Sequence, residues 1–178
     1  MFRDITYLKS GSNKQRLAYQ AIMDTEIWNR LSSYTPVLCG TIPIGIDTAA
    51  SDLDIIMEVS DFPRFEDEVV SLYGKYAGFR IKEKSIRGMP VIKANFTSGG
   101  FHFELFGQPQ AVHRQHAYRH MLVEHHLLLK HPSIKASVLS LKENGIKTEP
   151  AFAQVMGLTG DPYEELLALG IQLGLYSE

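Results

Sequence analysis

Between Phe79 and Phe106 the side chains alternate with a period of two, and glycines punctuate the alternation. Phe79 and Ile81 alternate with Arg80 and Lys82. Ile92, Ala94 and Phe96 then alternate with Val91, Lys93 and Asn95, and Phe101, Phe103 and Leu105 with His102 and Glu104. Successive side chains of a strand point to opposite faces, so each run can bury one face and leave the other polar. Gly88 and Gly99-Gly100 sit where turns would join the runs. The pattern predicts a three-strand antiparallel meander.

The flanking segments read differently. Ser12-Asn13-Lys14-Gln15 has the form of a capping box, which predicts a helix running to about Leu31 with Leu17, Ala21, Ile22 and Trp28 near one face. Pro36 to Gly40 is a short apolar run and reads as a buried strand. Thr41 to Ser51 is rich in small residues and reads as a loop or a short helical turn, and Asp52 to Val59 as a second buried strand. Asp61 can cap a helix with Pro63 in its first turn, where the missing N–H of proline costs nothing; Phe65, Val69, Leu72, Tyr73 and Tyr76 follow at helical spacing. After about Gln110 three or four helices are expected. Asn144-Gly145 would end one, Thr148 would cap another ahead of Pro150, and Asp161-Pro162 would start the last. The expected plan is a single α+β domain over 1–178: a mixed sheet with flanking helices over about 1–110, then a helical layer over about 111–178.

Composition sets outer bounds. With 44% apolar and 21% charged residues, the chain of 178 residues has the make-up of a soluble globular domain. No apolar run is long enough to span a bilayer, so no membrane partner is expected. Met1-Phe2-Arg3-Asp4-Ile5 lacks the basic flank and apolar stretch of a signal peptide. Cys39 is the only cysteine, which excludes an internal disulfide and points to the cytoplasm of a bacterial-type cell. A net charge of −2 argues against a broad surface for polymeric nucleic acid, while a small nucleotide needs only a few cations and a metal.

The chemistry concentrates around Asp52-Leu53-Asp54-Ile55. On a strand, Asp52 and Asp54 would project from the same face. Paired carboxylates repel unless a cation lies between them, and hard oxygen donors suit magnesium, with manganese as its substitute. Ahead of Asp52, across the span that ends at Ser51, Gly40 ends a strand and lets the backbone approach a phosphate, and Thr41 offers a hydroxyl. The series Gly40-Thr41, Gly45, Ser51-Asp52-Leu53-Asp54 resembles the signature of the polymerase-β-like nucleotidyltransferase superfamily over residues 36–106, with Glu104 in Phe103-Glu104-Leu105 at the position of the third carboxylate. Thr41 replaces the commoner serine, and Glu104 the commoner aspartate. Within that superfamily the whole chain, including Tyr118-Arg119-His120 and Lys147 to Phe152, resembles a small bacterial family classed as a domain of unknown function.

The resemblance implies magnesium-dependent transfer of a nucleoside monophosphate from a nucleoside triphosphate to an unidentified acceptor. Asp52, Asp54 and Glu104 would be the catalytic and metal-binding carboxylates, and Gly40, Thr41 and Ser51 would contact nucleotide and phosphates. Arg114, read from its place near a helix start, would either reach the phosphates or cap a buried carboxylate. The alternative is an inactive nucleotide-binding or sensing module of the same fold. On a helix from about His113, residues His113, His116, His120 and Glu124 share a face at spacings compatible with zinc, although a polar solvated face accounts for them as simply. The opposite stripe, with Arg114, Tyr118, Met121, Leu122, His125, Leu128 and Leu129, is expected to face the core. Lys93 reads as a solvated strand residue or a phosphate contact.

Overall fold

The computed structural model describes residues 2–177; Met1 and Glu178, the ends of the expected domain, lie outside them. The chain forms two compact units. The first holds residues 1–39 and 52–112, the second residues 40–51 and 113–178. The loop 40–51 belongs with the second unit.

In the first unit, α1 (Asn13–Asp24) begins with the expected capping box, Ser12 and Gln15 satisfying each other's backbone N–H groups. It stops about two turns before the expected end. Thr25 is buried and its hydroxyl donates to the Ile22 carbonyl, Glu26 turns left-handed at φ 56°, and a separate turn, α2 (Ile27–Arg30), follows. The inward face is Ala18, Ala21 and Ile22, whereas Leu17 is 54% exposed. Helix α3 (Phe62–Tyr73) starts at Asp61, whose side chain accepts from the Arg64 N–H, and buries Phe65, Val69 and Tyr73.

Five strands form one sheet: β1 (Val37–Cys39), β2 (Leu53–Glu58), β3 (Ala77–Ile86), β4 (Met89–Ser98) and β5 (Phe101–Gln108). Their order is β1-β2-β5-β4-β3. The meander β3-β4-β5 is antiparallel throughout, β1 is antiparallel to β2, and β2 runs parallel to β5. One face is apolar. Phe103 stacks on Phe96, and Phe96 on Tyr73 of α3, with ring centroids 4.9 and 5.0 Å apart, so α3 covers this face. Gly107 is required by packing, because a Cβ there would come within 2.6 Å of Val59 Cγ2.

The second unit contains α4 (His116–Lys130), α5 (Ile134–Glu143), α6 (Thr148–Met156) and α7 (Pro162–Gln172). Asn144 and Asp161 end and begin helices as expected, the Asp161 carboxylate accepting from the N–H groups of Tyr163 and Glu164. Thr148 does not cap α6. It is the first helical residue, and its hydroxyl accepts from Lys142 Nζ at 2.8 Å. Among the described residues, no helix is long and apolar enough to cross a membrane.

Helix α4 buries two residues of the face that the sequence presented as polar, His120 and Glu124, together with Met121 of the opposite stripe. His120, Met121, Val123, Glu124 and Leu127 are buried, while Leu129 is 64% exposed. His120 is buried with partners on both ring nitrogens. His120 Nε2 lies 2.9 Å from the Tyr163 carbonyl and Nδ1 3.6 Å from Glu149 Oε1. His113 and His116 are exposed, and Arg114 sits exposed in a 3-10 turn before the helix, so it is not a core-facing residue.

Burial pushes the Glu124 carboxyl up to about 8, with Glu149 adding to the rise and Lys142 opposing it. A carboxyl raised in the fold keeps its proton where the unfolded chain has lost it. Stability therefore falls as pH rises from the ordinary value of 4.5 towards 8. Glu124→Gln should melt close to the parent at the acid end of that window. At the alkaline end it should be more stable by on the order of 1–3 kcal/mol. Melting curves across the window check this, and parallel pH profiles for the two proteins would contradict it.

Candidate active site

The parallel pairing of β2 with β5 sets Leu53 beside Phe103 and Ile55 beside Leu105, burying all four. The residues between them, Asp54 and Glu104, are then register partners on the other face. Neighbouring strands are about 4.8 Å apart, so the two carboxylates start from adjacent backbone positions. A row crosses the whole sheet on this face: Cys39, Asp54, Glu104, Asn95 and Arg80, each opposite the next. Beside it runs a second row, Val37, Ile56, Phe106, Lys93 and Lys82.

Lys93 joins the rows. Its Nζ lies 2.7 Å from Glu104 Oε2, with the side chains 20% and 23% exposed. Sequence alternation already put Lys93 in phase with Asn95. Its pairing with Glu104 depends on strand register, which residue types alone do not fix. Asp52 is exposed and stands one residue before β2 begins at Leu53, so strand alternation does not govern its direction.

Gly40, Thr41, Ser51 and Arg114 all belong to the second unit. Gly40 has φ 80°, a left-handed conformation that glycine adopts without strain. Thr41 Oγ1 and Ser51 Oγ lie 2.9 Å apart and close the loop, and Ser51 Oγ also accepts from the Thr48 N–H at 2.9 Å. If Ser51 donates its single proton to Thr41, the Thr41 proton is left for a ligand. Ile42, Ile44 and Ile46 are buried and hold the loop in a fixed shape.

Among the described residues, no three His, Cys, Asp or Glu side chains gather closely enough to hold a metal ion. That applies to the histidines of α4 as well as to the acidic trio. Magnesium, however, is usually held by one or two carboxylates together with substrate phosphates and water, not by an all-protein cage. The all-oxygen set of Asp52, Asp54 and Glu104 fits that coordination chemistry.

The fold is of the nucleotidyltransferase type, a mixed sheet with helices packed on it. It resembles the structure of the Cid1 poly(U) polymerase, with a TM-score of 0.52 and 19% identity over 74% of this chain and 40% of that one. The same polymerase with MgGTP bound gives 0.51 and 18%, covering 74% and 42%. The GLD-2/RNP-8 complex gives 0.54 and 15%, covering 85% and 61%. The chain thus spans about two fifths to three fifths of those proteins. Residues 20–169 match the family described as a domain of unknown function, DUF4269, and the chain belongs to it. No curated protein matches the sequence.

The Lys93–Glu104 pair yields a direct test. Lys93→Met and Glu104→Gln should each lose about 1–2 kcal/mol, and the double variant should lose roughly 1 kcal/mol less than their sum. Chemical denaturation of the four proteins measures this. Strictly additive losses would mean that the pair contributes nothing.

Proposed function

We propose that this protein transfers a nucleoside monophosphate from a nucleoside triphosphate to the hydroxyl of an acceptor. The observation that carries the reading is the in-register placement of Asp54 and Glu104 on β2 and β5, in a fold shared with nucleotidyltransferases. Asp52 and Asp54 would hold magnesium together with the triphosphate, and Glu104 would complete the acidic set. The ion, when bound, neutralises charge on the triphosphate oxygens. The acceptor oxygen forms a bond to the α-phosphorus as the bond from that phosphorus to the bridging oxygen breaks, and pyrophosphate leaves with the electron pair. Glu104 would take the acceptor's proton, which requires Lys93 to release the carboxylate. Gly40, Thr41, Ser51 and Arg114 would contact the phosphates. The buried thiol of Cys39 fits a reducing, cytoplasmic setting.

One observation favours a second reading, a nucleotide-binding module without transfer: Lys93 already occupies the third carboxylate. Binding is common to both readings and is tested first. Magnesium ATP at a hundred times its Kd should stabilise the fold by about 2.7 kcal/mol, since ligand that binds only the native state shifts unfolding by mass action. EDTA or Asp54→Asn should abolish most of that gain. An equal rise in Tm with and without magnesium would overturn both readings.

A further inference from the structure

The polar sheet face is not electrically uniform, and its asymmetry bears on the unidentified acceptor. Asp54 and Glu104 lie on the central strands β2 and β5. Moving outward through β4 to the edge strand β3, the residues of the same face become basic. Lys82 is opposite Lys93, Arg80 opposite Asn95, and Lys84 opposite Val91. Arg80, Lys82 and Lys84 are exposed, and the intervening Glu83, also exposed, points to the other face. Four cations thus stand on one side of two carboxylates, in a protein whose net charge is −2.

Lysines on an edge strand often serve only to prevent sheet-to-sheet association. That role does not require Lys93, which lies on an interior strand, nor does it explain like charges placed directly opposite, an arrangement that destabilises a sheet. Lys82 above all, then desolvation and Lys93, lower the Lys84 amine from its ordinary value, with Glu104 opposing them. The strip is also short. Arg80 to Lys84 spans about 13 Å at the rise of a strand. Phe106 and His102 are the aromatic rings on this face of the meander. A strand of nucleic acid would call for a longer groove with a row of stacking rings.

Resting on the transferase reading, we propose that the acceptor is a small phosphate-bearing molecule, whose phosphate is held by Arg80, Lys82 and Lys84 while its hydroxyl faces Glu104.

The probe is inorganic pyrophosphate in EDTA, titrated into the 15N-labelled full chain and followed by amide shifts. Saturable shifts centred on residues 80–84 and 91–95 are expected. R80Q/K82Q/K84Q should bind about tenfold more weakly, because charged hydrogen-bond donors are lost, while its affinity for magnesium ATP stays at the parent value. Unchanged pyrophosphate affinity in that variant, or shifts centred elsewhere, would overturn the proposal. A second arm uses a twelve-nucleotide single-stranded RNA. If it binds far more tightly than pyrophosphate and shifts residues well beyond the strip, the small-acceptor assignment is wrong. Loss of magnesium ATP binding in the parent alongside intact pyrophosphate binding would sink the transferase reading and leave the anion site standing.

Discussion

The pairing of β2 with β5 is the only parallel contact among the described strands, and it governs both faces of the sheet. Its register is set by burial. Leu53, Ile55, Phe103 and Leu105 are at most 1% exposed, and a slip by one residue would turn them outward and drive Asp54 and Glu104 into the core. Burying four large side chains is worth several kcal/mol, at roughly 1.5–3 kcal/mol each. The alignment of the two carboxylates is thus a by-product of core packing. It is fixed before any ligand is present, which is the preorganisation a site for charged substrates needs.

Two adjacent acids on a sheet would repel, and Lys93 offsets part of that repulsion through Glu104. Its neighbour opposite, Lys82, has no comparable reason to sit beside another cation. Conflicts between local charge and fold stability of this kind tend to mark functional surfaces. The same logic applies to Glu124, an acid kept in an interior position beside Glu149 and Lys142.

Much of this architecture was legible in the sequence, because it rests on local signals. Ser12, Asp61 and Asp161 cap helices where their side chains can reach free N–H groups, and Gly88, Gly99 and Gly100 take the positive φ that their turns need. The strand of Asp54 followed from its short apolar run, and the meander from alternation. What was illegible depended on tertiary partners. Helical periodicity shows that α4 has two faces, but only the Tyr163 carbonyl and Glu149 make burial of His120 tolerable. Arg114 was misplaced because the helix begins three residues later than its periodicity suggested. The break after Asp24 follows from Thr25 bonding back to Ile22, which propensity does not reveal. Grouping of loop 40–51 with the helical unit depends on contacts distant in sequence, which residue types alone do not show.

The central claim, that the Asp54–Glu104 face supports nucleotidyl transfer, is tested most directly by pyrophosphate release. Purified protein would be incubated with magnesium and each of the four nucleoside triphosphates, with and without a metabolite pool as acceptor. The account predicts acceptor-dependent release of pyrophosphate that falls by at least about a hundredfold in both Asp54→Asn and Glu104→Gln, as expected when a charge acting in the transition state is removed. Acceptor-dependent release that persists unchanged in both variants would show that the chemistry does not use this face.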